Sequence, residues 1–206
     1  MMMSFLKLRL PIKDEEFDVI YPQTIRHLSK RHFTPVEVAI KATEWLTENN
    51  FTGKILDIGS GSGKFCFIAA ALSKSTITGV EYRKDHVDIC NKIKLKNRLQ
   101  NVEFIHSNIN KIAFENYDGF YFFNSFQEQI DSSAKIDMII KTDESFYDEY
   151  EGYVKNELKK LPAGTKLVTY HTSLGQIPSN FCLTKTRFDG KLKLWKKNAN
   201  SISKLL

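Results

Sequence analysis

The stretch Lys54–Phe65, KILDIGSGSGKF, decides the fold of this chain. A short apolar run carries one acid, Asp57, near its end and leads into glycines at every second position. The glycines are Gly59, Gly61 and Gly63. Such a loop between a strand and a helix lets backbone amides approach a bound nucleotide closely. The spacing is not that of a G-x-G-x-x-G dinucleotide fingerprint, and Gly63-Lys64 lacks the following Ser or Thr of a P-loop. The loop therefore disfavours both a nicotinamide dinucleotide and a nucleoside triphosphate.

Strand-like and helix-like segments alternate outward from this loop. The predicted strands are Ile55–Ile58, Thr76–Val80, Val102–His106, Gly119–Asn124 and Thr165–His171. The predicted helices between them are Phe65–Leu72, Lys84–Leu99 and Phe146–Leu161. Strands joined by helices predict right-handed crossovers and a parallel sheet covered on both faces.

The end of the chain has a different pattern. Two strand-like runs, Phe181–Phe188 and Lys191–Lys196, are joined by Asp189-Gly190, a dipeptide typical of tight antiparallel hairpins. We therefore expect an α/β fold of three layers. Its doubly wound, mostly parallel seven-stranded sheet ends in a C-terminal antiparallel hairpin.

The N-terminal fifty residues precede the alternating pattern. They contain a possible extended piece at Phe5–Leu10 and a helix start at Thr34-Pro35. Thr34 is predicted to cap this helix, with Pro35 at its first position and Glu37 completing a capping box. Residues 1–50 are thus expected to form a helical and extended appendage that also serves as a lid.

Composition limits the class of protein. The 206 residues are 42% hydrophobic and 26% charged, which is ordinary for a globular protein. No apolar run approaches the roughly 18 residues of a membrane span, and the N-terminus lacks a signal-peptide pattern. The three cysteines, Cys66, Cys90 and Cys182, are far apart and favour neither disulfides nor a structural zinc. We expect a cytoplasmic monomer or small homo-oligomer with no membrane partner and no metal site.

Positive charge is concentrated near the C-terminus. The whole chain has a net charge of +6, residues 131–161 have −3, and residues 162–206 have +7. A basic surface of this kind attracts nucleic acid or acidic partners. The alternative is a set of solvated lysines on edge strands, which prevent edge-to-edge pairing.

The ends of the second and third strands add two further clues. The second strand ends at Glu81, and an acid there accepts hydrogen bonds from the ribose hydroxyls of a nucleoside. Tyr82 beside it is placed to lie against a purine. At the end of the third strand, Asn108 offers an amide to the adenine edge and Ile109 offers an apolar contact.

Four motifs together resemble the class I S-adenosylmethionine-dependent methyltransferases. They are LDIGSGSG (56–63), GVE (79–81), HSNI (106–109) and FFNSF (122–126). The resemblance implies a Rossmann-like methyltransferase domain over residues 51–206 and S-adenosyl-L-methionine as the cofactor. It also implies that the loop, including Ser60, packs against the methionine part of the cofactor.

The resemblance assigns roles to individual residues. Asp57 supports the loop and the amino end of the cofactor, and Glu81 holds the ribose. Asn108 stands where the family often has an Asp that contacts the adenine amino group. Thr34, in an aromatic-Thr-Pro turn, is expected near the cofactor carboxylate.

The fourth strand leads into Asn124-Ser125-Phe126 at the expected transfer site. This tripeptide is similar to the N-P-P-F/Y motif of amino-directed methyltransferases, without its prolines, and to the Asn-Asn-Phe of lysine methyltransferases. Asn124 is therefore the candidate catalytic residue, which orients an amine, and also a candidate cofactor contact. His171, at the end of the fifth strand, is either a structural histidine or a general base.

The sequence thus predicts a methyltransferase with an unidentified acceptor, which is a protein, a small molecule or a nucleic acid. An amine is slightly favoured, with a protein lysine first. Two alternatives remain: an RNA or DNA methyltransferase that uses the basic C-terminal region, and a non-catalytic Rossmann-like binding module.

Overall fold

A computed structural model describes residues 11–123 and 144–199 of the chain, without the side chains of residues 144–146. The strands are β1 Lys54–Ile58, β2 Thr76–Glu81, β3 Val102–His106, β4 Gly119–Phe123, β5 Lys166–Tyr170, β6 Phe181–Arg187 and β7 Leu192–Lys197. The longer helices are α1 Val36–Leu46, α2 Lys64–Leu72, α3 Lys84–Lys96 and α4 Glu144–Lys160. Short helical turns at Asp14–Phe17, Gln23–Arg26 and Ser29–His32 precede them.

All seven strands form one sheet in the order β3-β2-β1-β4-β5-β7-β6. The first five are parallel, β7 is antiparallel to β5, and β6 is antiparallel to β7. The predicted fold is therefore confirmed. Because β1 pairs with β2 on one side and β4 on the other, the strand order reverses there, and ligands of such sheets bind at the carboxyl ends of the strands at this point.

The C-terminal hairpin turns at the predicted dipeptide. Asp189 and Gly190 have φ values of 53° and 76°, and the amide of Lys191 donates to the carbonyl of Phe188. Positive φ at both central positions is what a type I′ turn requires. This turn lies at the same edge as the carboxyl end of β5, because Leu192 pairs with Tyr170.

Apolar side chains cover both faces of the sheet, because successive residues of a strand point to opposite sides. Ile55 and Tyr121 belong to one buried cluster with α1 and α2. Leu56 and Phe120 belong to the other, with α4 and the short turn Phe114–Asn116. The sheet is thus the middle of three layers.

The N-terminal segment is packed into the first of these clusters. Phe17 and Tyr21 are buried among the same residues as Ile55. Residues before and after position 50 therefore contribute to one hydrophobic core. The domain boundary there stays a prediction, and the predicted extended piece Phe5–Leu10 lies outside the described residues. In the described ranges, none of the helices is long and apolar enough to cross a membrane.

The prediction that Thr34 caps α1 is wrong. The helix begins at Val36, whose amide donates to Asp14 Oδ1 at 3.0 Å. Thr34 Oγ1 instead shares a hydrogen bond of 3.0 Å with the hydroxyl of Tyr121 on β4. A residue 22 positions earlier in the chain therefore caps the helix in place of its local neighbour.

Candidate functional site

The glycine loop turns from β1 into α2 on three left-handed backbone conformations. Gly59, Gly61 and Gly63 have φ values of 70°, 53° and 74°. The amide of Ser60 donates to the carbonyl of Val80 at 2.8 Å, which fastens the loop to β2. The loop therefore lies at the carboxyl ends of β1 and β2, where the strand order predicts a ligand.

The two sides of this loop differ in packing. A Cβ added to Gly63 would lie 2.6 Å from the ring of Phe104 and 3.0 Å from Cys90 Sγ. A Cβ added to Gly61 would meet no atom within 4 Å among the described residues. The loop is therefore packed at Gly63 and open at Gly61, where the backbone is not covered by other described residues.

Ser60 faces the strand beneath the loop. A Cβ on Gly79 would come within 2.7 Å of the Ser60 hydroxyl, so this close approach requires glycine in β2. The hydroxyls of Ser60 and Ser62 are buried, and no hydrogen-bond partner for either is found in the described part of the chain. Of the loop residues, Ser60 thus contributes its backbone to the open side, while its side chain points towards β2.

Glu81 joins the end of β2 to the glycine loop. Its carboxylate is buried, with Oε2 accepting from the amide of Gly61 at 2.9 Å and Oε1 from the amide of Arg83 at 2.7 Å. A carboxylate has about four acceptor positions, so these bonds leave capacity for ribose hydroxyls. The backbone thus fixes the predicted ribose acid beside the open side of the loop.

Asp57 lies beneath the loop on β1 with only 3% of its surface exposed. The pKa of its carboxyl is raised to about 7: burial raises it most, the Cys66 thiol lowers it by donating to Oδ2 at 3.2 Å, and the charge of Glu81 raises it. A cationic group placed nearby would favour the charged carboxylate.

Asn108 reaches the same edge from β3. The amide of Ser107 donates to the carbonyl of Glu81 at 3.1 Å, which brings the end of β3 beside the end of β2. Asn108 Oδ1 accepts from the amide of Asn110 at 3.4 Å, and its Nδ2 donates to the hydroxyl of Tyr150 at 2.8 Å. No sequence pattern marks Tyr150 as functional, because helical spacing alone explains its position on α4.

The other predicted contacts have mixed surroundings. Tyr82 is 56% exposed beside Glu81, whereas Ile109 is buried in the second apolar cluster. Thr34 is buried against Tyr121. Asn124, the candidate catalytic residue, lies outside the described residues.

Lys64 is a feature of the site that the sequence did not reveal. This lysine follows Gly63 and is only 2% exposed. Its ammonium bonds to Asp14 Oδ1 at 2.5 Å, Asp18 Oδ1 at 2.7 Å and Ser29 Oγ at 3.3 Å. The N-terminal segment is therefore tied directly to the residue after the glycine loop.

Three rings meet at the carboxyl ends of β4 and β5. The ring of Tyr170 lies 4.9 Å from that of Phe123 and 4.4 Å from that of His171. His171 has a φ of 53°, and its amide donates to the carbonyl of Lys191. Burial, followed by the charges of Lys191 and Lys193, lowers the pKa of its imidazole. We call Phe123, Tyr170 and His171 the edge rings.

Taken together, these features are those of a doubly wound protein with a glycine loop at the strand-order reversal and a buried acid at the end of β2. A family model described as "Methyltransferase domain" matches residues 50–202, so the chain belongs to this family. The chain is a class I S-adenosylmethionine-dependent methyltransferase, as the four motifs indicated. Its cofactor is S-adenosyl-L-methionine.

Individual proteins add detail to the comparison. A release factor glutamine methyltransferase of Fusobacterium nucleatum is 36% identical over 75 residues, which are 36% of this chain and 20% of that protein. The chain therefore spans about a fifth of that relative.

Two of the solved structures that share the fold serve as examples. A methyltransferase from Geobacter sulfurreducens has a TM-score of 0.62 at 13% identity, covering 95% of this chain and 94% of that one. An RNA methyltransferase from Salinibacter ruber, in complex with S-adenosyl-L-homocysteine, has a TM-score of 0.55 at 16% identity, covering 83% and 96%.

In the described ranges, no group of three or more His, Cys, Asp or Glu side chains is placed to hold a metal ion.

Proposed function

We propose that the glycine loop, Asp57, Glu81 and Asn108 hold S-adenosyl-L-methionine and that the acceptor is an amine nitrogen, with a protein lysine first. The observation that carries the cofactor half is the hydrogen bond from the Gly61 amide to Glu81, at the side of the loop that is open. When bound, the cofactor supplies a methyl group activated by a positively charged sulfur.

Each residue has a distinct part in this proposal. Glu81 accepts from the ribose hydroxyls, and the open backbone at Gly61 lies along the methionine part. Asp57 balances the ammonium group, and Asn108 accepts from the adenine amino group. Gly59, Ser60 and Gly63 shape the loop, and the contacts of Thr34, Tyr82, Ile109 and Asn124 stay predictions.

The edge rings support an amine as the acceptor. Phe123 and Tyr170 bring aromatic rings together at this edge, and aromatic faces attract a cationic group such as a lysine side chain. Burial lowers the pKa of the His171 imidazole and so favours its neutral form. An amine acceptor must lose its proton before it attacks the methyl group.

Calorimetry with S-adenosyl-L-homocysteine tests the cofactor half. We expect Glu81→Gln to weaken binding roughly 10- to 100-fold, because one carboxylate oxygen becomes an NH2 group, which cannot accept from the backbone amide that faces it. Glu103→Gln, an exposed acid on β3, is the matched control and should bind as the wild type does. Undiminished binding by Glu81→Gln would contradict the assignment of the ribose acid.

Transfer of labelled methyl groups tests the acceptor half. The protein is incubated with labelled S-adenosyl-L-methionine and a cell lysate, and label is then measured in protein, nucleic acid and small molecules. Label on lysine, at a rate that rises from neutral to alkaline pH, supports an amine acceptor. A flat pH profile argues against it, since the fraction of deprotonated amine grows with pH.

RNA is the second candidate acceptor, and the hairpin tip favours it. Arg187 and Lys191 are exposed at the edge where Leu192 pairs with Tyr170, so basic and aromatic side chains occur together. The Salinibacter ruber protein with the same fold is an RNA methyltransferase. This candidate predicts RNA binding that weakens steeply with salt and that Arg187→Glu with Lys191→Glu reduces. An absence of binding at low salt would remove it.

A further inference from the structure

The adenine end of the proposed site is supported by α4. Two side chains beyond β3 bond to this helix: Asn108 Nδ2 donates to Tyr150 Oη at 2.8 Å, and Asn110 Nδ2 donates to Glu149 Oε1 at 2.7 Å. The hydroxyl of Tyr153 donates to the carbonyl of Ile112 at 2.8 Å. The segment that carries Asn108 is therefore held along one side of α4.

The two ends of the Asn108 amide are distinguished by their partners. A backbone N–H can only donate, so the amide of Asn110 identifies the nearby atom of Asn108 as the carbonyl oxygen. That bond is long at 3.4 Å and restrains the amide weakly. The bond of 2.8 Å to Tyr150 is the stronger restraint on the position of the side chain. A phenol hydroxyl can donate as well as accept, so the Asn110 amide is the partner that sets which end is the oxygen.

Tyr150 also lies close to the predicted purine contact. Burial raises the pKa of the Tyr150 phenol, the hydrogen bond from Asn108 lowers it, and the nearby groups of Glu149 and Tyr82 raise it. Tyr82 and Tyr150 therefore lie on the same part of the surface as the Asn108 amide.

We propose that Tyr150 and the backbone amide of Asn110 together hold the side-chain amide of Asn108 so that Oδ1, and not Nδ2, faces the purine. Asn110 sets which end is the oxygen and Tyr150 keeps the side chain in place, which makes Tyr150 a positioning residue for adenine specificity. The inference rests on the proposed role of Asn108. An oxygen at this place accepts from the 6-amino group of adenine and repels a 6-keto group. If the amide could turn over, its nitrogen would donate to a keto group, and the preference for adenine would be lost.

The test compares two ligands that differ at this one position of the purine. S-adenosyl-L-homocysteine carries the 6-amino group, and S-inosyl-L-homocysteine carries a 6-keto group. We expect the full-length wild type to prefer the adenosyl ligand by roughly tenfold or more, as a site with a fixed polar partner does. Tyr150→Phe should reduce that preference to about threefold or less, with a smaller loss of affinity for the adenosyl ligand.

Tyr153→Phe is the matched control on the same helix. It removes a hydroxyl that also bonds to the segment after β3 but leaves Asn108 untouched. If Tyr150 only docked the helix, both variants would lower the melting temperature and neither would change the ligand preference. A wild-type preference in folded Tyr150→Phe overturns the inference.

Asn108→Asp gives an independent reading, because a carboxylate has an acceptor oxygen in either orientation. In that background, Tyr150→Phe should leave the ligand preference unchanged, since there is no longer an amide to turn. A further loss of preference in the double variant overturns the inference. Asn108→Ala separates the two proposals: if it keeps the wild-type preference, the proposed adenine contact fails, and if it loses the preference while Tyr150→Phe keeps it, only the role of Tyr150 fails.

Discussion

The packed side and the open side of the glycine loop hold buried charges in different ways. On the packed side, the Lys64 ammonium has two aspartates and a serine as partners. On the open side, the buried Asp57 has a thiol as its hydrogen-bond donor and a second carboxylate, Glu81, as its electrostatic neighbour. Residues 64 and 66 of one helix therefore serve two different clusters, one centred on an ammonium group and one on a carboxyl group.

This difference separates what stabilises the fold from what binds the ligand. A buried charge that is already ion-paired and hydrogen-bonded within the protein has little interaction left to make with a ligand. Burial raises the pKa of Asp57, and the charge of Glu81 raises it as well, which leaves an interaction for an incoming ammonium group to make. We expect variants of the packed side to lower stability and variants of the open side to weaken binding.

The largest expected effect is on the packed side. Lys64→Ala leaves Asp18 buried without its cation, and we expect the free energy of unfolding in urea to fall by about 3–5 kcal/mol. The control is Lys84→Ala, which breaks the exposed pair with Asp88 and should change little. Equal stability of Lys64→Ala and wild type would show that the cluster contributes nothing to folding.

On the open side, Asp57→Asn should stabilise the ligand-free protein at pH 8. A carboxyl whose pKa rises from 3.8 to about 7 on folding contributes stability below pH 4 and loses it as pH rises through 7. An amide does not ionise, so the variant should gain on the order of 2–4 kcal/mol at pH 8 and almost nothing at pH 4. Thermal melts at both pH values measure the difference.

The same variant should bind S-adenosyl-L-homocysteine more weakly at pH 8, because the ammonium group of the ligand loses its carboxylate partner. A stability gain that does not depend on pH would contradict the raised pKa of Asp57.

The smallest expected effects come from two glycines of the same loop. Gly63→Ala should lose about 2–3 kcal/mol of stability, because its Cβ would meet Phe104 at 2.6 Å in a left-handed conformation. Gly61→Ala has a positive φ as well but open space around the Cβ, so we expect a loss of about 1 kcal/mol. Its methyl group occupies the ligand side, and the affinity for S-adenosyl-L-homocysteine should fall roughly tenfold. A larger loss of stability in Gly61→Ala than in Gly63→Ala would contradict the assignment of Gly63 to the packed side and Gly61 to the open side.

Local patterns in the sequence were sufficient to predict the fold. Apolar runs predicted the strands, the loop glycines predicted the turn into α2, and Asp189-Gly190 predicted the hairpin. The ends of the elements shifted by a few residues, as for the helix predicted at Lys84–Leu99, which ends at Lys96. Helix ends depend on tertiary contacts that local patterns do not contain.

The missed residues share a physical reason. Lys64 bonds to Asp14, 50 positions away, and Tyr150 bonds to Asn108, 42 positions away. Neither pair has a spacing that a helix or strand repeats. The wrong cap at Thr34 has the same origin, because Asp14 and Tyr121 come from distant parts of the chain. Sequence reasoning predicted residues at the carboxyl ends of the strands and missed the residues that bond to them from distant parts of the chain.

One oxygen of Asp14 has a consequence for how the molecule opens. Oδ1 accepts from the first amide of α1 and from the ammonium of Lys64, the residue after the glycine loop. A single atom of the N-terminal segment is therefore bonded to the starts of α1 and α2. The segment cannot detach without exposing the start of α1 and leaving Lys64 with fewer partners. Amide protons at the start of α1 and after the loop should therefore exchange with deuterium at one common opening rate, as a single cooperative unit does.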